Sequence, residues 1–261
     1  MQEVITSREN TKIKYACKLA QNAAFRRSEG SFLAEGSKLV QELAKTLPIK
    51  VILYTAKALE KEPRLAALCQ EQYLIEPHVA EKLADATATQ GVFAVFETPR
   101  CSLESLHRGG HYLALERVQD PGNVGALIRS AAAFGFDAVI LGPGCASPWA
   151  PKTLRSGMGA AGQIPVLEVP SLPDALTHLG QQGVTCLAAA LYNSQPLSQV
   201  PARFDGGLCV VIGSEGQGLT QQAVDACALS VRIPITQRVE SLNAGVAGSV
   251  LLWHFRGAVE E

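Results

Sequence analysis

The chain has 261 residues, of which 47% are hydrophobic and 18% charged, and its formal net charge is −1. This apolar content excludes a disordered chain, and no apolar run approaches the roughly 18 residues that a membrane helix needs. The seven cysteines lack short repeat spacing and the first residues lack a hydrophobic block, so we expect a reduced, cytoplasmic protein.

The first hundred residues alternate between helical and extended patterns, which predicts an α/β unit. Residues 11–27 are predicted to form one helix, because apolar positions recur among basic ones. The elements predicted after it are strands at 31–36, 50–55, 73–76 and 91–97 and helices at 37–46, 63–69 and 77–84.

The beginning of this unit is more basic than the chain as a whole. Its cationic side chains are Arg8, Lys12, Lys14, Lys18, Arg26 and Arg27. A basic arm can follow nucleic-acid phosphates even on a neutral protein. A solvated helix face accounts for the same charges equally well.

Residues 98–110 have no sustained period and end in two glycines, which predicts a linker. The predicted domains are therefore residues 1–100 and 107–261. His107 and His111 have the i, i+4 spacing of metal ligands, but the glycines between them disfavour a rigid helix. We interpret both histidines as solvated and predict no metal site.

The second unit alternates again, and its strands are continuous apolar runs, as in a parallel sheet covered on both faces. The predicted strands are 111–116, 137–142, 164–169, 184–190, 207–213 and 229–234, and the predicted helices are 124–134, 151–158, 172–181, 219–227 and 242–256.

The stretch GMGAAG at residues 157–162 matches the G-x-G-x-x-G dinucleotide fingerprint. That motif requires a strand before it and a helix after it, whereas here a predicted helix precedes and a predicted strand follows. We therefore interpret the stretch as a helix end closed by glycines. A nicotinamide oxidoreductase, which depends on this stretch alone, is the weakest of the functions considered. Arg155 and Ser156, just before it, are candidate contacts for RNA phosphate.

Three later segments each follow a predicted strand and continue into a predicted helix: residues 120–135, 210–219 and 233–252. Because the carboxyl ends of parallel strands share one edge of a sheet, these loops are predicted to meet there and to bind a ligand. The glycines of the second segment let the backbone approach a ligand closely, although a tight turn also accounts for them.

The motifs in these segments resemble those of SpoU/TrmH-type RNA 2′-O-ribose methyltransferases of the SPOUT superfamily. The pattern N-x-x-x-x-x-R runs from Asn123 to Arg129, I-G-x-E-G-x-G-L occupies residues 212–219, and a proline followed by S-L-N occurs as Pro234 and residues 241–243. FLAEGSKLVQELAK, at residues 32–45, is similar to the beginning of the family's L30e-like substrate-binding domain.

The resemblance implies a C-terminal α/β domain with a trefoil knot, whose mostly parallel sheet has helices on both faces, and a smaller N-terminal L30e-like α/β domain. It implies S-adenosylmethionine as the cofactor, methyl transfer to a ribose 2′-hydroxyl of RNA, and a homodimer formed through the C-terminal domain. No membrane or metal partner is implied. The long N-terminal part favours ribosomal RNA over tRNA by association with relatives.

The resemblance assigns catalytic roles to Arg129, Asn123, Ser241, Asn243 and Glu215. Arg129 can hold a phosphate and stabilise an alkoxide, whereas a guanidinium with a pKa above about 12 is a poor base. Asn123 is predicted to be the N-cap of its helix, and Ser241 and Asn243 lie at the start of another, where capping alone would also account for them. Glu215 either organises its loop or pairs with Arg129.

The positions assigned to the cofactor are backbone and apolar sites at strand ends and in the glycine loop: Ile212, Gly213, Gly216, Gly218, Ile233, Leu242 and Ala189. Amide hydrogen bonds and apolar contacts at such positions suit an adenosine. Relatives often carry bulkier or hydroxyl residues where this chain has Ala244 and Gly245, so we expect altered packing beneath the cofactor.

Two alternatives to an rRNA methyltransferase stay open at this point. One is a tRNA 2′-O-methyltransferase, and the other is a non-catalytic RNA-binding or ribosome-assembly protein on the same fold. The intact motif residues Asn123, Arg129, Ser241 and Asn243 favour an enzyme.

Overall fold

The computed structural model describes residues 4–85 and 89–256, which fall into two compact units. The first unit consists of the described residues of Met1–Arg100 together with Ser147–Gln163. The second consists of those of Cys101–Ala146 and Ile164–Glu261. Every helix within the described ranges is too short or too polar to cross a bilayer.

Residues before 100 form a five-stranded mixed sheet with helices, which confirms the predicted α/β class. Its strand order is β1-β4-β3-β5-β2, with β5 antiparallel to both neighbours. The elements are β1 (Val4–Ile5), α1 (Thr11–Gln21), α2 (Ala23–Glu29), β2 (Ser31–Glu35), α3 (Ser37–Leu43), β3 (Ile49–Tyr54), α4 (Ala56–Lys61), β4 (Gln72–Ile75), α5 (Pro77–Leu83) and β5 (Val92–Glu97). The sequence analysis predicts neither β1 nor α4.

The single helix predicted at residues 11–27 is wrong, because the chain breaks at Asn22. The backbone of Asn22 is extended, and its side-chain oxygen accepts a hydrogen bond from the amide of Phe25 at 2.9 Å. Asn22 therefore ends α1 and caps α2.

Arg26 lies in this helix pair and is only 5% exposed. Its Nη1 donates to the carbonyl oxygens of Leu19 at 2.7 Å and Ala20 at 3.0 Å. These carbonyls belong to the last turn of α1, which has no further helical turn to supply donors. The guanidinium thus completes the end of a helix.

Three more of the basic side chains have acidic partners within the unit. Arg8 pairs with Glu81 at 3.4 Å, Lys12 with Glu71 at 2.9 Å, and Lys14 with Glu9 at 2.7 Å. Lys18 lies over the ring of Phe25 at 5.6 Å, so it also has a local contact.

The later part of the chain forms a seven-stranded sheet of order β10-β12-β9-β11-β6-β7-β8, in which every pair is parallel. The predicted parallel sheet is thus confirmed. The elements are β6 (His111–Leu115), α6 (Pro121–Ala133), β7 (Ala138–Leu141), α7 (Pro151–Gly157), β8 (Val166–Glu168), α8 (Leu172–Gln181), β9 (Thr185–Ala189), β10 (Gln195–Pro196), β11 (Leu208–Ile212), α9 (Gln221–Asp225), β12 (Leu229–Arg232) and α10 (Ala244–His254).

Helices cover both faces of this sheet, as predicted. Val211 of β11 belongs to a buried cluster that includes Leu176 of α8 and Ala223 of α9. The next residue, Ile212, lies close to Gly248 of α10. Because successive strand residues point to opposite faces, α8 and α9 cover one face and α10 covers the other.

The predicted linker contributes to the second unit. Leu106 is buried in that cluster, and the hydroxyl of Tyr112 donates to the carbonyl of His107 at 2.8 Å. His107 itself is exposed, as predicted, whereas His111 is half-buried with its ring edge-to-face against Phe136, so its predicted solvation is wrong. In the described part of the chain, no group of three or more His, Cys, Asp or Glu side chains is arranged to hold a metal ion.

The stretch GMGAAG belongs to the first unit. It starts at the last residue of α7 and continues into a short 3-10 turn, which confirms that it closes a helix. Met158 and Gly159 have φ of 50° and 82°, the left-handed conformation of a helix end. The guanidinium of Arg155 pairs with Asp85 and Glu35, so the candidate phosphate contact is already occupied by carboxylates.

We expect Arg26→Met to lower the free energy of unfolding by about 1.5–3 kcal/mol, because the buried carbonyl of Leu19 and the part-buried carbonyl of Ala20 lose a charged donor. Urea denaturation measures this change. The control is Arg64→Met, which replaces an exposed arginine of the same unit and should change stability by less than about 0.5 kcal/mol. Equal stability of the two variants would contradict the capping role.

Candidate active site

The carboxyl ends of four neighbouring parallel strands, β12, β9, β11 and β6, meet at one edge of the second sheet. The loops that leave them contain the three motif segments singled out in the sequence. Their predicted convergence is confirmed. We call this boundary the carboxyl edge.

The loop after β11, residues 213–220, folds back on itself in a tight turn. Ser214 and Gly218 exchange backbone hydrogen bonds of 3.2 and 3.0 Å, and Gly218 has φ of 66°. A Cβ atom on Gly213 would lie 2.3 Å from the carbonyl carbon of Gly218, whereas one on Gly216 would meet no described atom within 4 Å. The close approach therefore requires glycine at position 213, and the left-handed backbone favours it at 218.

This loop is tied to the end of β6 by a buried carboxylate. Glu116, only 6% exposed, accepts hydrogen bonds from the backbone amide of Thr220 at 2.7 Å and from its hydroxyl at 2.8 Å. Thr220 in turn caps α9. The sequence analysis assigns no role to either residue, although a charged residue at the end of the apolar run HYLALE is a usable signal.

Arg117 provides a second connection, which the sequence analysis also misses. Its Nη1 donates to Oε1 of Gln217 at 3.2 Å. Arg117 has φ of 54°, a left-handed conformation that is unusual outside glycine, asparagine and aspartate. The stem of its side chain lies against Gly144.

Asn123 supplies the third connection, since its Nδ2 donates to Oε1 of Glu215. The prediction that Asn123 caps its helix is wrong. Asp120 is the N-cap of α6 and accepts from the amide of Gly122 at 2.6 Å, and Pro121 fills the first helical position. Asn123 lies within the first turn, where its side chain is free to bind Glu215. Glu215 therefore pairs with Asn123, and of the two alternatives given for Glu215 this contact favours an organising role over a pairing with Arg129.

Asn243 comes close to Asn123 from a different helix. It caps α10 by accepting from the amide of Val246 at 3.2 Å, as predicted. A Cβ atom on Gly245 would lie 3.0 Å from Oδ1 of Asn123 and 3.1 Å from Oδ1 of Asn243. The absence of a side chain at Gly245 thus leaves room for both oxygens. We call Asn123, Glu215 and Asn243 the asparagine cluster.

The position of α10 against α6 also depends on small residues. A Cβ atom on Gly248 would lie 2.3 Å from Cδ2 of Leu127, and the hydroxyls of Ser130 and Ser249 lie 2.9 Å apart. The two helices therefore approach closely enough to bring Asn123 and Asn243 together.

Ser241 and Arg129 stand apart from the asparagine cluster in the structure. Ser241 is exposed, two residues before the cap of α10. Arg129 is also exposed, and among the described residues no hydrogen bond or ion pair holds its guanidinium. It lies six residues beyond Asn123, about 9 Å along the axis of α6.

A hollow of about 460 Å³ lies beside the cluster, between α6 and α10. It is lined by Asn123, Ala126, Asn243, Gly245, Val246, Ser249, Val250 and Trp253. Arg129 follows Ala126 at i+3, so it lies at the border of this hollow.

The residues assigned to a cofactor occupy the carboxyl edge itself. Ala189 ends β9, Ile212 ends β11, and Ile233 follows β12, so three adjacent strands contribute them. Ile212 and Gly213 are buried, whereas Ala189, Ile233 and Leu242 are half-buried.

Cys145 lies beside the end of β6, where its thiol donates to the carbonyl of Leu115 at 3.3 Å. Burial raises its pKa to about 11. The thiol is therefore protonated at neutral pH and is a poor nucleophile.

Comparison with known families gives two matches. The model of the SpoU rRNA methylase family matches residues 110–253, and that of an MRM3-like substrate-binding domain matches residues 10–94. The first match contains the whole carboxyl edge.

Individual relatives extend over nearly the whole chain. An uncharacterised tRNA/rRNA methyltransferase of Synechocystis sp. is 34% identical, over 97% of this chain and 93% of its own length. The 23S rRNA (guanosine(2553)-2′-O)-methyltransferase of Bacillus subtilis is 31% identical, over 97% of this chain and 99% of its own length. An AdoMet-bound rRNA methyltransferase from Sinorhizobium meliloti has a TM-score of 0.86 at 28% identity and covers 97% of both chains.

We expect Gly213→Ala to destabilise the second unit by about 1–3 kcal/mol, because the new methyl group would overlap a backbone carbonyl. Gly216→Ala, in the same loop, has open space and should be nearly neutral. Thermal denaturation of the two variants compares them directly. A Gly213→Ala protein as stable as the Gly216→Ala protein would show that the turn is looser than described.

Proposed function

Because the chain belongs to the SpoU rRNA methylase family, it is an S-adenosylmethionine-dependent RNA 2′-O-methyltransferase, and we propose that the carboxyl edge of its second sheet is the active site. The observation that carries this proposal is the asparagine cluster. Three motif residues from separate segments meet beside the strand ends that the family resemblance assigns to the cofactor.

The strand ends fit an adenosine-containing cofactor. Ala189, Ile212, Ile233 and Leu242 present small or aliphatic side chains, and Gly213 leaves its backbone uncovered by a side chain. Such a surface suits adenine and ribose, which bind through apolar contact and backbone amides. When bound, S-adenosylmethionine would supply a methyl group from its sulfonium, which leaves as a neutral thioether while the ribose oxygen gains the methyl group and loses its proton.

The asparagine cluster would position the target ribose. The hydrogen bond from Asn123 holds one oxygen of Glu215, and we propose that the other oxygen accepts from a ribose hydroxyl. Asn243 holds the start of α10 against the cluster, with Ser241 just before it. Alignment of reacting groups in this way is worth up to about 7–11 kcal/mol of the barrier.

Arg129 would act as an electrostatic clamp. Its exposed guanidinium can hold a phosphate of the substrate through two parallel hydrogen bonds and stabilise the negative charge that develops on the 2′-oxygen. Because it lies at the border of the hollow, outside the cluster of its own protomer, we propose that it serves a site completed across a subunit interface.

The homodimer proposed from the sequence has a suitable surface on α10. Val246, Val250 and Trp253 follow the i, i+4, i+7 spacing of one helix face, and Val246 and Trp253 are 51% and 54% exposed. A contiguous exposed apolar face of this kind marks an interaction surface. A second copy packed on it would also cover the hollow beside Asn123.

Ribosomal RNA is the proposed substrate. The relative from Bacillus subtilis is named for 23S rRNA, and the N-terminal unit matches a substrate-binding domain. A non-catalytic assembly role has weaker support, because the asparagine cluster is complete. A tRNA substrate has weaker support, because the relative from Bacillus subtilis is named for 23S rRNA. We further propose a cytoplasmic location, supported by seven cysteines that form no disulfide. The trefoil knot stays a prediction of the resemblance.

We expect Arg129→Ala to lower methyl transfer by about 10²–10³-fold, since the developing charge loses its main donor. Cofactor affinity should stay within about twofold, because Arg129 lies away from the strand ends. The measurement maps ribose methylation across all stable RNAs in cells that lack the gene and carry either form. Arg203→Ala, an exposed arginine of the same unit, is the control. Full methylation by the Arg129→Ala protein would remove Arg129 from the mechanism.

We expect Trp253→Glu to separate the dimer into monomers, because a carboxylate would be buried in an apolar interface. Light scattering of the purified protein measures the mass. Val4→Glu places the same charge on an exposed valine of the first unit and should leave the mass unchanged. A dimer that survives Trp253→Glu would place the interface elsewhere.

A further inference from the structure

Among the described residues of the second unit, six large apolar side chains are more than a third exposed. Three form the α10 face discussed above. The other three are Leu191, Tyr192 and Val239, with exposures of 51%, 85% and 53%. They lie on the loops that follow β9 and β12, residues 190–194 and 233–243, which we call the edge loops.

The first edge loop is held in place from both ends. The amide of Ala190 donates to the carbonyl of Val231 at 3.1 Å, and Nη1 of Arg232 donates to the carbonyl of Ser194. Both tethers attach the loop to β12 and its final residue. Tyr192 is therefore exposed on a turn that hydrogen bonds hold at both ends.

The turn has local features that fix its shape. Asn193 adopts φ of 50°, a left-handed conformation that asparagine tolerates, and the hydroxyl of Ser194 donates to the carbonyl of Leu191 at 3.2 Å. The ring of Tyr192 thus stands at the tip of a built turn, with no described aromatic partner.

The edge loops also carry exposed positive charge. Arg238 is exposed and directly precedes Val239 in the second loop. The two loops leave adjacent strands at the carboxyl edge, beside the strand ends assigned to the cofactor. An exposed aromatic ring and an exposed guanidinium on loops of adjacent strands are the combination that binds single-stranded nucleic acid, through base stacking and phosphate contact.

We propose that Tyr192 stacks on an unpaired base of the RNA substrate next to the target ribose, while Arg238 contacts the neighbouring phosphate. The inference rests on the proposed function. A ribose hydroxyl reaches the carboxyl edge only if its nucleotide leaves regular helical stacking, and the flanking base then needs a new stacking partner. RNA fits these loops better than a second protein copy does, because the apolar area is small and is interrupted by a cation.

The test measures methyl transfer from tritiated S-adenosylmethionine to total RNA isolated from cells that lack the gene. We expect Tyr192→Ala to raise the half-saturating RNA concentration about tenfold, since stacking on one base contributes about this much affinity. The maximal rate and the cofactor affinity should stay within twofold. Tyr192→Phe, which keeps the ring, should behave like the unchanged protein.

A matched pair of arginine variants tests the phosphate contact. Arg238→Ala should raise the half-saturating RNA concentration several-fold and reduce its dependence on salt. Arg203→Ala, an exposed arginine before β11 at the opposite end of the strands, should change neither quantity.

Three outcomes would overturn the proposal. A half-saturating RNA concentration within twofold of normal for Tyr192→Ala would refute the stacking contact and leave the proposed function standing. A Tyr192→Ala protein that light scattering shows to be monomeric would assign the loop to the subunit interface. No transfer by the unchanged protein would refute the proposed function, and this contact with it.

Discussion

The close approach of α10 to α6 is the constraint on which the rest of the site depends. Gly248 lies against Leu127, the hydroxyls of Ser130 and Ser249 meet at 2.9 Å, and Gly245 leaves space for two asparagine oxygens. Larger side chains at these positions would push the helices apart, because interiors are packed too densely to absorb extra atoms. Asn123 and Asn243 would then lie farther apart, so the third motif would no longer lie beside the first.

Much of the fold could be predicted because strand and helix periods are strong local signals. The bounds of α8, residues 172–181, agree fully with the prediction, and the apolar runs correctly indicate a parallel sheet. Two of the errors concern which of several capable residues forms a cap. Asn22 interrupts a pattern that continues across it, and Asp120 takes the cap expected of Asn123, since Pro121 already suits the first helical position. Local propensity allows each choice, and packing decides between them.

The site could be predicted in outline because motif order and sheet topology together place three loops at one edge. The contacts that hold those loops in place could not be predicted from the sequence. Glu116 and Thr220 are far apart in the chain, and neither belongs to a motif that the family resemblance supplies. Arg26 shows a related limit. A basic residue in a basic stretch of sequence is interpreted as a surface charge, and its contact with a buried carbonyl is seen only in the structure. Contacts between residues that are far apart in the chain leave no periodic pattern in the sequence.

The pairing of β6 with β11 also governs how the protein is made. Strand β6 leaves the ribosome long before β11, so one side of a buried, apolar strand has no partner while the intervening chain is synthesised. The first unit likewise cannot be completed until Ser147–Gln163 have been synthesised, and by then β6 and β7 have already been translated. Such long-range closure slows folding and leaves strand edges open to wrong partners. Vectorial synthesis therefore cannot deliver the two units one after the other.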